Sequence, residues 1–249
     1  MTYKTRIGIL IVFIALFFVT APIVFLYTAG YRWNEKKFRL EKVGIIFLRS
    51  RPSGADVYLN DKLRSENTPT RLRNLLPDAY TVKVTKPGYT TWSKKLQVES
   101  ARATFAEGII IWKEASPEKL TLAPEKALTQ NELTELKRVN QLSYKVDNET
   151  FKSDGFEIWV ESKDNEHETV TRLSEEILAI MPYADTGWVI YETANSIHAI
   201  ERDGRDNRND ITLATGNDLN GLAISSDGKS LFYMTGKGTG NTLWRRLLQ

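Results

Sequence analysis

Cysteine is absent from the 249 residues, and histidine occurs only twice. The first absence removes disulfide frameworks, thiol nucleophiles and zinc-thiolate sites together, and it selects no compartment. An excess of one charge is also lacking. The 34 Lys and Arg face 31 Asp and Glu, a formal net charge of +3, so no field argues for nucleic acid as a partner. Signatures of catalysis are missing too. No serine lies in a G-x-S-x-G elbow. The stretch GKGTG at 236–240 lacks the lysine-hydroxyl ending of a phosphate-cradling loop and runs into the strand-like Thr242-Leu243-Trp244, so it reads as a hairpin turn. His167 stands in a polar run beside Asp164, Glu166 and Glu168, which is loop composition more than a metal site, and His198 alternates with apolar neighbours as a strand residue does. No metal, no cofactor and no enzyme activity are expected.

What the chain does have is one long apolar run. Ile7 to Tyr27 carries no charge across its whole length. At about 1.5 Å per residue a helix of this length crosses a hydrocarbon core of about 30 Å. No polar stripe marks one face, as a core helix would show. The best small-residue cleavage site, Val19-Thr20-Ala21, is followed by Pro22, which argues for an uncleaved anchor over a signal peptide. Tyr27, Tyr31 and Trp33 stand where an interfacial aromatic belt would be. Lys4 and Arg6 flank the run on one side, and Arg32, Lys36, Lys37, Arg39 and Lys42 on the other. A literal positive-inside count favours a cytoplasmic C-terminal part. A long following domain weakens that count, and a short tail with two cations is how a signal anchor starts, so the globular part is expected outside the cytoplasm.

After this tail, helix and basic flank (1–42), residues 43–112 alternate short strands with turns. Gly44–Ser50 is a β-branched and aromatic run, Arg51-Pro52-Ser53-Gly54 supplies a turn, and Val57 and Leu59 alternate with polar neighbours. Thr68-Pro69 leads toward a strand with Tyr80, Val82 and Val84 on one face, and Pro87-Gly88 turns the chain into the next. Residues 113–142 are charged and punctuated by Pro117 and Pro124, the composition of a linker entering a short amphipathic turn. Beyond it, 143–249 repeats at a spacing of about 42: Tyr183–Tyr191 aligns with Ser225–Tyr233, and Val170-Thr171-Arg172-Leu173 with Ile211-Thr212-Leu213-Ala214. An Asp-Gly type of turn before an apolar strand at that period suggests four-stranded propeller blades. A closed propeller needs about four or more blades, and this length holds about two and a half. The chain would then be a piece of a longer product, close by oligomerisation, or form a small open β domain.

Five elements in order, Ser50-x-Pro52-x-Gly54-Ala55, Val57-Tyr58-Leu59, Thr68-Pro69, Leu75 through Tyr80, and Lys86-x-Gly88-Tyr89 with Trp92, resemble the PEGA domain family. Asp61 replaces a usual glycine after the first hairpin, and the glycine usual before the Tyr80 strand is missing; both departures fall in turns. The C-terminal part resembles β-propeller repeats. The PEGA resemblance implies a small β-sandwich-like module of envelope proteins with a non-catalytic binding or spacer role. The expected class is therefore mainly β: a transmembrane helix, a PEGA-like antiparallel module, and an incomplete set of propeller-like repeats. Candidate binding residues are Tyr80, Tyr89 and Trp92 as an aromatic platform for a cell-wall polymer, although strand aromatics more often fill cores. Arg71 and Arg73 could meet an anionic polymer, or simply be solvated. Pro52, Gly54, Pro69, Pro87 and Gly88 are expected to shape turns. An envelope protein is the other candidate partner, and an envelope hydrolase or sensor using a propeller face is the alternative reading.

Overall fold

A computed structural model describes residues 3–138, 141–163, 166–183, 186–236 and 241–249. The chain opens with α1 (Tyr3–Thr28), followed by β1 (Tyr31–Asn34), β2 (Arg39–Lys42), β3 (Gly44–Arg51), β4 (Asp56–Leu59), β5 (Lys62–Leu63), β6 (Thr70–Leu75), β7 (Ala79–Thr85), β8 (Trp92–Gln97) and β9 (Ala103–Ile110). Within α1, Thr5–Thr28 has a mean hydropathy of 3.0 and none of its apolar window is buried. That is the length and composition of a helix that could span a membrane or serve as a signal sequence.

Contacts divide the chain into two units. The first joins Met1–Leu48, Pro69–Tyr80 and Leu96–Glu107; the second joins Arg49–Thr68, Thr81–Lys95 and Gly108–Gln249. The module expected at 43–112 thus contributes strands to both. One of its sheets runs β6-β3-β9 and the other β5-β4-β7-β8. The alternation read from the sequence is obeyed: β4 buries Val57 and Leu59, and β7 buries Val82 and Val84. The β4–β5 turn shows how a missing glycine is replaced. Asn60 and Asp61 both take positive φ, 48° and 61°, the left-handed region that Asn and Asp visit most readily among non-glycine residues. In addition, the Asn60 side-chain oxygen accepts from the Thr81 backbone N–H at 2.9 Å.

The second unit continues with β10 (Glu118–Lys119), α2 (Pro124–Ala127), α3 (Gln130–Leu136), β11 (Ser143–Val146), β12 (Glu149–Ser153), β13 (Glu157–Glu161) and β14 (His167–Arg172). Then follow β15 (Ile177–Pro182), β16 (Trp188–Thr193), β17 (Ser196–Glu201), β18 (Asp210–Thr215), β19 (Leu219–Ile224), β20 (Ser230–Thr235) and β21 (Thr242–Leu247). These make three four-stranded antiparallel sheets, β11-β12-β13-β14, β15-β16-β17-β18 and β19-β20-β21-β10. The 42-residue period is the step from one sheet to the next. Tyr191 and Tyr233 sit in the second strands β16 and β20, while Val170 and Ile211 sit in the fourth strands β14 and β18. Asp185, the other half of the turn match, lies outside the described residues. No closed barrel of strands is formed among the described residues.

Residues 113–142, expected as a linker, are built into this unit. Glu118 and Lys119 pair with Arg245 and Trp244, so β10 supplies the fourth strand of the last sheet. Helix α3 starts at a capping box: the Thr129 hydroxyl accepts from the Glu132 N–H, and the Glu132 carboxylate accepts from the Thr129 N–H at 2.8 Å. Leu136 then packs with Ala223, Phe232 and Leu243 of the last sheet. Gly221 explains how close that approach is. It has φ +76°, and a Cβ there would collide with the Leu136 carbonyl oxygen. The first two sheets share a separate core of Phe151, Ile158, Val160, Val170, Ile177, Ile180, Val189, Tyr191 and Ile200.

Candidate functional site

The first unit holds Tyr80, Arg71 and Arg73. The Tyr80 hydroxyl donates to the Leu76 carbonyl at 3.0 Å. Arg71 and Arg73 are exposed on β6, with the Arg71 guanidinium 5.1 Å from the centre of the Phe47 ring, which stacks on Phe105. Pro69 opens the segment that leads into this strand. In the second unit, Tyr89 is half-buried and its backbone bridges to Lys113. Trp92 is 2% exposed, and its indole N–H donates to Glu201 Oε1 at 3.1 Å. A ring so enclosed has no face to offer a glycan.

The motif around Pro52 and Gly54 is a hydrogen-bonded knot. The Ser50 and Thr68 hydroxyls lie 2.6 Å apart, Ser50 Oγ donates to the Pro52 carbonyl at 2.8 Å, and Thr68 Oγ1 accepts from the Ala55 N–H at 3.1 Å. Gly54 has φ +70°. Both hydroxyls are buried, so they serve to satisfy backbone groups of the turn. The turn Lys86-Pro87-Gly88-Tyr89 is closed by the Tyr89 N–H donating to the Lys86 carbonyl at 3.0 Å, with Gly88 at φ +78° and open space where a Cβ would stand. Backbone conformation alone therefore demands glycine there. Gly88→Val should cost on the order of 1–3 kcal/mol, read as a lowered midpoint in chemical denaturation of the full chain. A wild-type midpoint would refute the requirement for positive φ.

Three residues from β8 reach groups far along the sequence. Lys94 Nζ lies 2.9 Å from Glu201 Oε2 and 3.7 Å from Asp203 Oδ2, its side chain wholly buried, and it donates to the Asp203 carbonyl at 2.6 Å. Asn209 Nδ2 donates to the same Glu201 oxygen at 2.8 Å. With Trp92 on Oε1, the Glu201 carboxylate is surrounded by donors. The Lys95 N–H donates to Asp206 at 2.9 Å. The Asp203 carboxyl is itself held below the usual carboxylate range: burial pushes it up, but Arg205 and the nearby Lys94 ammonium outweigh this.

One concave feature of the second unit is a cavity of about 860 Å³ where the first strands of the three sheets meet. Tyr144 and Val146 come from β11, Met181 and Pro182 from β15, and Ile224 from β19. The size lies within the about 300–1,000 Å³ of small-molecule sites, and apolar walls with a few polar groups are their usual lining. Here the polar groups include Glu135, Asp227 and Lys229. Glu135 Oε2 is buried without a hydrogen-bond partner among the described residues, although Oε1 pairs with Arg138 at 2.9 Å. Burial, and then the Glu135 carboxylate, push the Tyr144 phenol up. Tyr183 donates its hydroxyl to the Gly228 carbonyl at 2.6 Å, and burial pushes it up to about 12. This cavity had no signal in the sequence, because its wall comes from residues about 40 apart that meet only when the sheets do.

One constellation that pattern reading passed over is Ser196, His198 and Asp210. Ser196 Oγ lies 2.9 Å from His198 Nε2, and His198 Nδ1 lies 3.1 Å from Asp210 Oδ1. Distances alone suit a nucleophile, base and orienting acid. The surroundings do not: Ser196 pairs with Thr215 inside the ladder, its hydroxyl is shared with Thr193 at 2.8 Å, and the two cavities described among these residues are lined by others. Tyr191 stacks on His198 and donates to Asp210 at 2.7 Å, so the group ties strands β16, β17 and β18 together. His167 stacks on Trp159, while Asp164 and residues 237–240 of the GKGTG stretch lie outside the described residues.

The geometry thus defines a mainly β chain with a long apolar N-terminal helix. The family model of the PEGA domain matches residues 43–107, in agreement with the five sequence elements. No curated protein matches the chain. Among solved structures the chain is similar to the AfRom2 CNH domain, at 12% identity and a TM-score of 0.32, covering 68% of this chain and 57% of that one. The chain therefore spans little more than half of that structure's length.

Proposed function

We propose that the chain is a non-catalytic, single-pass membrane protein whose β modules stand outside the cytoplasm and bind an envelope polymer or protein. The observation that carries this reading is α1: Thr5–Thr28 has a mean hydropathy of 3.0 and none of its window is buried, and no charge follows Arg6 within it. Such a surface is stable in hydrocarbon and costly in water. Support for the binding role comes from the matched PEGA domain and from the cavity at β11, β15 and β19, whose apolar wall and unsatisfied Glu135 oxygen suit an occupant carrying a hydrogen-bond donor. The extracytoplasmic side is supported by the usual setting of PEGA domains.

Protease added to intact cells should degrade the part beyond Lys42. Protection of that part until the cells are lysed would place it inside, and the basic flank at 32–42 would then have decided the topology.

A further inference from the structure

Only Ala29 and Gly30 separate α1 from the β1–β2 hairpin. Its register pairs Tyr31 with Lys42, Arg32 with Glu41, Trp33 with Leu40 and Asn34 with Arg39. Side chains alternate across a strand, so Tyr31, Trp33, Leu40 and Lys42 share one face, and Arg32, Asn34, Arg39 and Glu41 the other. The second face is satisfied. Asn34 donates to Glu41 Oε2 at 2.6 Å, Arg39 pairs with Glu41, and both Asn34 and Glu41 are buried. These donors hold the Glu41 carboxyl below its ordinary range, the Asn34 amide first.

The first face is bare. Trp33 is 54% exposed, Leu40 47% and Phe38, in the turn between the strands, 80%. A tryptophan paired with a leucine across one short hairpin, with a phenylalanine at its tip, thus leaves about half or more of each side chain open. The hairpin is also fixed to the helix end. The Arg32 guanidinium lies 3.6 Å from the centre of the Tyr27 ring and donates to the Tyr27 and Tyr31 carbonyls, each at 2.8 Å. The Val43 N–H donates to the Gly30 carbonyl at 3.0 Å, closing the hairpin's base. Between Tyr31 and Lys42 the sequence carries five cations against Glu35 and Glu41, and Lys36 pairs with Asp78 at 2.9 Å, which leaves two cations in surplus.

We infer that the β1–β2 hairpin is a membrane-surface element. Trp33, Phe38 and Leu40 enter the boundary between headgroups and acyl chains of the leaflet from which α1 emerges, while the surplus cations meet anionic headgroups. The helix brings the bilayer to within two residues of this face, and an aromatic and aliphatic surface fringed by Lys and Arg is the composition that interface favours. The inference rests on α1 being an uncleaved anchor.

The absence of cysteine allows a direct test. Phe18→Cys, Phe38→Cys and Leu63→Cys, each in the full chain, would carry a nitrobenzoxadiazole fluorophore in nanodiscs of phosphatidylcholine with a minority of phosphatidylglycerol. Leu63 is 60% exposed, stands in the separate β5 strand, and serves as the solvent reference. Spin-labelled lipid should quench the probes at Phe18 and Phe38 several-fold more than at Leu63, and iodide should quench Phe38 less than Leu63. Removing phosphatidylglycerol should reduce the lipid quenching at Phe38. If Phe18 is quenched by lipid while Phe38 behaves as Leu63, the hairpin inference is overturned and the anchor stands. If Phe18 also escapes lipid quenching, the anchor reading falls and takes the inference with it. Quenching at Phe38 that ignores phosphatidylglycerol would overturn the role given to anionic headgroups.

Discussion

Lys94→Ala should lower the stability of the chain by about 3–5 kcal/mol, the usual cost of removing one partner of a buried ion pair. The cause is the carboxylate left behind. Glu201 is 4% exposed, and without the ammonium at 2.9 Å it keeps the Trp92 and Asn209 donors but loses the buried cation that offsets its removal from water. The Asp203 carbonyl loses its donor as well. For a chain of this size the change corresponds to a fall in melting temperature on the order of 10 °C, measurable by intrinsic fluorescence in detergent micelles. The double variant Lys94→Met with Glu201→Gln should lose distinctly less than the single Lys94→Ala. It removes both charges, keeps the volume, and leaves an amide oxygen for Trp92 to donate to. A double variant as unstable as Lys94→Ala would mean that packing of the lysine stem, and not the stranded charge, sets the cost.

That cluster also marks the limit of what residue order conveys. Local features were legible because their causes are local. The apolar run gave α1 through hydropathy alone, and the alternation in Val57, Leu59, Val82 and Val84 gave strands. The period of 42 was legible because each sheet repeats the same order of strands. Trp92 was readable as a strand aromatic, but its partner Glu201 lies 109 residues away, and nothing near either residue announces the other. The same holds for β10. Glu118 and Lys119 look like part of a proline-punctuated linker, and they become a strand only because β21 offers an unpaired edge to them. The cavity belongs to this second kind as well, since the first strands of three sheets meet to make it, whereas the Ser196–His198–Asp210 group is brought together by the pairing of β17 with β18 within one sheet.

Glu192 should make stability fall as pH rises, the reverse of the ordinary behaviour of a carboxylate. It sits on β16 at 2% exposure, and burial pushes its carboxyl from 4.5 up to about 7. Below pH 4.5 both folded and unfolded chains hold this proton, so the group contributes no pH dependence. Between 4.5 and 7 the unfolded chain has released it and the folded chain has not, so folding must take up a proton, and stability declines through that interval. Above 7 both forms are ionised, and the full penalty, about 3 kcal/mol at 1.36 kcal/mol per pH unit, is in place. Carboxyls held below their ordinary range, such as Asp227 with its Ser225 and Lys229 donors, act in the opposite sense and only near or below pH 4. Comparing wild type with Glu192→Gln therefore isolates the buried acid. The two should melt alike near pH 4.5, and the glutamine variant should gain steadily until about pH 7, where it is the more stable by about 3 kcal/mol. A difference between the two that stays constant from pH 4.5 to 8 would show that Glu192 titrates normally and that water reaches it in the folded chain.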